Sequence, residues 1–315
     1  MKKKYIFDLK DKRIWVAGHN GMVGRAILEN LKQEKCTIIT ADKNELDLTD
    51  QIKTHNWIKR KAPQVVFLAA AKVGGILANQ LNQTDFLYQN LMIQNNVINS
   101  SAECGVKKLI FLGSSCIYPK KSKQPISETE LLKSSLEETN EGYAIAKIAG
   151  LKLCSYLYKE KKKDFITVMP TNLYGPNDNF NLQTSHVLAA LVNKIVSAKL
   201  EKKKNVEIWG SGNPRREFLY VKDLADAVCF LAKYYSDETP INIGTSEDIS
   251  IKELANVISE IIGWKGTFSF NKNMPDGTML KRLNTLKINK LGWKAKVDIK
   301  RGLKKTIRGF KDSLH

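Results

Sequence analysis

The sequence predicts an α/β fold, doubly wound on a parallel sheet. Three observations carry this: apolar segments of strand length recur along the chain, amphipathic helical patterns separate them, and a glycine-spaced turn follows the first of them. RIWVAG (13–18) ends in glycine and leads into the amphipathic stretch Arg25 to Gln33, which reads as strand, turn, helix. TIIT (37–40), QVVFLAAA (64–71), KKLIFLG (107–113) and DFITVMP (164–170) follow. Their apolar character is continuous rather than alternating, as expected of strands covered on both faces, and that favours parallel pairing. Thr84 to Cys104 and Glu141 to Tyr158 carry helical patterns between them.

Beyond about residue 174 the rhythm changes to loops, a Lys-rich helix near 185–204, a short strand VEIWG and Gly/Pro turns. The segment FLYVKDLADAVCFLAKYY (218–235) reads as strand then helix and is expected to rejoin the first sheet. The expected plan is a nucleotide-binding domain over 1–173, with 217–243 returning to it, and a smaller C-terminal domain from 174–216 and 244–315 meeting it at a cleft. There is no internal repeat and no Gly/Ser- or Pro-rich linker.

Composition narrows the function classes. With 315 residues, 43% apolar and 26% charged, the chain can bury a sizeable core and has no signature of disorder. Its longest apolar run, Val65 to Ala71, falls far short of the roughly 20 residues of a membrane-spanning helix. The basic start MKKKYIFDLKDK meets Asp8 too soon for a secretory core segment. Five scattered cysteines (36, 104, 116, 154, 229) without a CxxC pair, and four histidines, suggest neither a disulfide framework nor a zinc site, so a reducing cytoplasm is expected. The formal charge of +19 raises nucleic acid as a partner, but only eight of the 51 cations are Arg, the residue on which base recognition leans. The surplus reads as a Lys-rich solvated surface, part of which serves a small anionic substrate.

Two motifs carry chemistry. Gly18-His19-Asn20-Gly21-Met22-Val23-Gly24 lies after a strand and opens a helix. Glycine permits the turn and a close backbone approach, and the helix start offers free N–H groups to a pyrophosphate, as in a Rossmann dinucleotide site. Asp42, just after the second strand, suits the ribose hydroxyls of NAD, whereas Lys43 suits the additional phosphate of NADP. The second motif pairs Tyr143 and Lys147, which are four residues apart on one helix face. A neighbouring ammonium favours phenolate and brings the phenol toward the working range, so that Tyr143 can give a proton to a ketone oxygen. Ser114, in Gly113-Ser114-Ser115-Cys116 at a strand's carboxyl end, can share that oxygen as a second donor. Together these features describe a ketone reductase, or an epimerase or dehydratase working through a transient ketone.

GHNGMVG, AAAKVGGI, FLGSSCIYP, YAIAKIAG, MPTNLYGP, SHV, WGSG and PDGT, in this order along nearly the whole chain, resemble the GDP-L-fucose synthase family of the extended short-chain dehydrogenase/reductases. The resemblance implies 3,5-epimerisation and 4-reduction of a GDP-4-keto-6-deoxy sugar with NADP(H). It implies Cys116 as the base and His186 as the acid flanking an enolate. It places the cofactor on the phosphate loop with Lys43, on Leu112, Gly113, Ser114 and Ser115, on Lys147, on Pro170, Thr171, Asn172 and Leu173, and beside His186. For the nucleotide sugar it points to Lys194, Trp209, Arg216, Asp276 and Lys281, and for assembly to a homodimer. Two positions depart from the family's usual arginine: Lys194 offers a point charge in place of a bidentate fork, and Asn20 stands in the phosphate loop. A dehydratase is disfavoured because Cys116 and Ile117, not an acid, follow the strand-end serines. A related GDP-keto-sugar epimerase/reductase is the nearest alternative. A non-catalytic nucleotide-binding protein would need none of the five catalytic candidates.

Overall fold

The computed structural model describes residues 5–314. A six-stranded sheet forms its centre, built from β1 (Arg13–Ala17), β2 (Thr37–Ile39), β3 (Val65–Leu68), β4 (Lys108–Leu112), β5 (Asp164–Pro170) and β9 (Ile241–Ile243). They lie in the order β2-β1-β3-β4-β5-β9, and every neighbouring pair is parallel. Strand residues alternate between two buried faces. Val16, Val65, Phe67, Ile110 and Ile166 pack with α1 (Met22–Leu31) and α7 (Val221–Tyr234) on one side. Trp15, Val66, Leu68, Leu109 and Phe165 pack on the other with α2 (Gln51–Lys61), α4 (Gln83–Glu103) and α5 (Glu141–Lys161). The continuous apolar runs have this cause: both sides of each strand are covered. Lys108, buried at the start of β4, donates to both carboxylate oxygens of its register partner Asp164 at 2.8 Å.

The chain leaves β1 for β2 on one side and returns to β3 on the other. The strand order therefore reverses there and opens a crevice at the carboxyl ends of β1 and β3, where open α/β sheets bind ligands. A short helix α3 (Ile76–Leu81), absent from the sequence reading, follows β3 before α4. Gly24 lies inside α1, which starts three residues earlier than the amphipathic pattern suggested.

A second sheet centres on β8 (Arg215–Tyr220), flanked by β6 (Asn172–Tyr174), antiparallel β10 (Asp248–Ser250) and β12 (Leu280–Lys281). β7 (Asn205–Trp209) and β11 (Thr267–Asn271) form a parallel pair beside it. α6 (Val187–Leu200), α8 (Ile251–Ile262) and α10 (Ile299–Asp312) close a separate core around Val192, Ile195, Tyr220, Ile258 and Phe310. The segment expected to rejoin the first sheet divides. Its strand, β8, belongs to the second sheet, while α7 and β9 return to the first. The Glu217 carboxylate on β8 fastens the junction by accepting from the backbone N–H groups of Thr245, Ser246 and Leu283 at 2.6 to 2.7 Å. Apart from β8, the second sheet's strands are too short and too mixed in burial to stand out as apolar runs.

Candidate active site

The phosphate loop closes on the crevice. Gly18 has φ +86°, and a Cβ there would lie 2.6 Å from the Ala70 backbone nitrogen at the end of β3. A Cβ on Gly24 would lie 2.1 Å from the Gly18 oxygen, so two glycines are needed for the turn to sit this tightly. Gly21 is the N-cap of α1 with no side-chain bond, and the first turn carries no acid, which leaves helix-end N–H groups and their partial positive charge for an anion. Met22 and Val23 turn their side chains into the first core and contribute backbone only. His19 is half-buried and Asn20 exposed, its carbonyl accepting from Arg25 Nε at 2.8 Å. Asp42 spends its carboxylate on the turn that follows, accepting from Asn44 N at 2.8 Å and Glu45 N at 2.9 Å, whereas Lys43 beside it is exposed. These residues fit a dinucleotide: a turn closed tightly by Gly18 and Gly24, with an uncapped helix start at the crevice of the sheet.

The reacting groups gather at the ends of β4 and α5. Ser114 Oγ accepts from Cys116 N at 3.2 Å and lies near enough to the Tyr143 phenol to act on its titration. Burial, followed by the nearby Cys116, pushes the Tyr143 phenol well above its ordinary value, opposed by Ser114. The phenol is thus raised where the spacing to Lys147 predicts a lowering: the desolvation of the buried ring outweighs the neighbouring ammonium. Lys147 is 3% exposed, donates to the Leu112 carbonyl at 2.9 Å, and sits 4.8 Å from the Phe111 ring centroid. Burial alone brings its ammonium down to about 7. Ser115 is buried in a tight 3-10 turn, and Gly113 packs against Met169 so closely that a Cβ would meet its sulfur at 2.5 Å. Pro170 ends β5, and the Thr171 hydroxyl and Asn172 amide both donate to the Glu217 carbonyl, at 3.2 and 2.9 Å, where the chain crosses between sheets. Leu173 packs on the first core.

Cys116 accepts from Asn140 Nδ2 at 3.3 Å and lies within electrostatic range of Tyr143 and Arg216. His186 is the N-cap of α6 without a capping bond. It keeps contact with solvent on the open side, while protein packed around it lowers its imidazole below the ordinary value. The turn after β3 sets its position: Gly75 N donates to Thr184 O at 2.9 Å, and a Cβ on Gly75 would lie 2.2 Å from Ser185 O. Asn79 ties that turn by donating to the carbonyls of Gly74 and Gly75 at 2.7 and 3.0 Å.

The remaining expected residues converge from the second sheet. Lys281 pairs in register with Arg216. Burial lowers the Arg216 guanidinium, and its Nη2 donates to the Asp276 carbonyl at 3.3 Å. The Asp276 carboxylate accepts from Ser211 N at 2.7 Å, in the turn after Trp209. Lys194 lies 5.1 Å from the Trp209 ring centroid and donates to the Glu207 carbonyl at 3.0 Å. Trp209 is 39% exposed, with the Lys194 ammonium over its ring. Among the described residues no cluster of three or more His, Cys, Asp or Glu could hold a metal ion.

The sequence reading missed Asn140, Gln83 and the Gly74-Gly75 turn as parts of this site. An Asn three residues before Tyr143 looks like an ordinary helix cap, and a Gly-Gly pair like an ordinary turn.

Residues 14–244 match the NAD dependent epimerase/dehydratase family. Over 305 residues the chain is 50% identical to a GDP-L-fucose synthase of Sinorhizobium fredii, with 97% of each chain covered. A Campylobacter jejuni GDP-6-OMe-4-keto-L-xylo-heptose reductase superposes with a TM-score of 0.90 at 36% identity, covering 96% of this chain and 98% of that one. A GDP-L-fucose synthetase of Naegleria fowleri, solved with NADP bound, superposes with a TM-score of 0.90 at 28% identity, covering 99% and 98%.

Proposed function

The chain belongs to the NAD dependent epimerase/dehydratase family, and from that premise we infer that it converts GDP-4-keto-6-deoxy-D-mannose into GDP-L-fucose, inverting C3 and C5 and reducing C4 with NADPH. The observation that carries this reading is the Cys116 sulfur beside the Ser114, Tyr143 and Lys147 cluster. A reductase alone needs the cluster but no such thiol, and a site for both steps needs both.

In this reading Cys116 takes a proton from C3 or C5, the electron pair moves onto the C4 oxygen as an enolate, and His186 returns a proton to the opposite face. Ser114 and Tyr143 hold the oxygen throughout. NADPH, when bound, supplies the hydride that reaches C4. Tyr143 then gives its proton to the alkoxide, and Lys147 stabilises the phenolate left behind. Gly18, Gly21 and Gly24 with the start of α1 would take the pyrophosphate, and exposed Lys43 would take the 2′-phosphate. Arg216, Lys281 and Lys194 meet the substrate's negative charge, Asp276 holds the turn beside them, and Trp209 stacks on the guanine.

The reading extends to a homodimer formed through α4 and α5, supported by exposed Tyr88 on the first helix and exposed Ile145 and Tyr156 on the second, at 61, 43 and 52%. It also extends to a cytoplasmic location, in keeping with five unpaired cysteines. No helix among the described residues is long and apolar enough to cross a membrane. Incubation with GDP-4-keto-6-deoxy-D-mannose and NADPH, following absorbance loss and product stereochemistry, tests the function. GDP-L-fucose is expected. A product reduced at C4 but not inverted at C3 and C5 would remove the epimerase half, and no NADPH oxidation would remove the reading. Cys116→Ser is expected to lose inversion while retaining NADPH binding.

A further inference from the structure

The first turn of α5 is capped in an unusual way. Asn140 occupies its N-cap position, where an Asn side chain ordinarily accepts from the first turn's N–H groups, yet it makes no such bond. Its Nδ2 donates instead to Cys116 Sγ at 3.3 Å, and its Oδ1 is buried with no partner. The cap is supplied from another helix: Gln83, at the start of α4, accepts through Oε1 from Gly142 N at 2.9 Å and donates through Nε2 to the Glu138 carbonyl at 2.8 Å. Position 142 must be glycine for this to happen, because a Cβ there would lie 2.8 Å from the Gln83 carbonyl oxygen.

We propose that Gln83 substitutes for Asn140 as the cap of α5, so that the Asn140 amide is released to the Cys116 sulfur, where it fixes the thiol's direction. Asn140 is then a positioning residue for the proton-abstracting group, acting through one N–H···S bond whose strength increases when the sulfur becomes negative. The role of Cys116 as base rests on the function proposed above. The amide–sulfur pair itself can be read without substrate.

The test is site-resolved iodoacetamide alkylation of the full-length protein across pH, with Cys116 followed by peptide mass spectrometry. Asn140→Ala is expected to slow Cys116 alkylation near neutral pH about tenfold. Asn140→Asp, which keeps the shape and adds a negative charge, is expected to slow it at least as much, and Gln83→Ala to slow it less. Retained NADPH binding shows that each variant is folded. With substrate present, deuterium uptake at C3 and C5 should fall in parallel with alkylation. An unchanged or faster profile in Asn140→Ala and Asn140→Asp overturns the amide–sulfur role, and a wild-type profile in Gln83→Ala overturns the cap exchange. If the alkylation shifts appear but the wild-type protein does not turn over the GDP sugar, the inference stands and the proposed function fails.

Discussion

Lys147 shows how a single residue can trade stability for chemistry. Its ammonium is buried with a carbonyl and two aromatic rings for company and no carboxylate. Burial lowers it from an ordinary 10.5 to about 7, so between those values the unfolded chain binds more protons than the folded one. Stability should therefore rise with pH across that window. Lys147→Met should remove this slope and match or exceed the wild-type melting temperature at pH 7, while losing at least about a hundredfold in reduction rate. Thermal unfolding at several pH values, alongside NADPH oxidation, checks both. Activity should move the other way: as pH rises through about 7, Lys147 gives up the charge that helps Tyr143, and the reduction rate should fall. Tyr143→Phe should cost reduction about 10²- to 10⁴-fold with NADPH affinity retained, as measured by single-turnover kinetics and fluorescence titration.

At the level of elements, turns and helix ends place groups that the strands cannot. The Gly74-Gly75 turn carries no reactive atom, yet it is pressed against Thr184 and Ser185 just before His186. Gly75→Ala must displace backbone, so deuterium exchange at C3 and C5 should fall by about a hundredfold. Reduction of a substrate that needs no inversion should change little. Equal losses in both steps would mean that the turn serves the fold rather than His186. Gly24→Ala, with its Cβ forced onto the Gly18 oxygen, should weaken NADPH binding at least about tenfold by titration. The elements also differed in how plainly the sequence announced them. β1, β3, β4 and β5 stood out because a strand covered on both faces must be apolar throughout. β6, β10 and β12, two or three residues each and partly exposed, have no such constraint and left no pattern.

Across the whole molecule, the chain crosses between the two sheets repeatedly, first where β5 runs on into β6. β5 ends at Pro170, the chain crosses over a single residue, Thr171, and β6 begins the pairing with β8. Arg216 of the second sheet thereby comes within electrostatic range of Cys116. The proposed dimer belongs to this scale too. Sedimentation should give twice the 35.6 kDa chain mass, and Ile145→Glu should move the protein toward the monomer without abolishing NADPH binding.

The chain's own letters determined the parallel sheet, the phosphate loop and the candidate set Ser114, Tyr143 and Lys147, because each depends on local rules: burial on two faces, glycine's backbone freedom, and helical spacing; Cys116 joined that set only through the family resemblance. Tertiary structure decided that β8 leaves the first sheet while α7 and β9 rejoin it, that Gly75 steers His186, and that Gln83 relieves Asn140 of its cap. Those outcomes depend on hydrogen bonds between residues tens of positions apart, and no periodicity records which distant partner will satisfy a buried polar group.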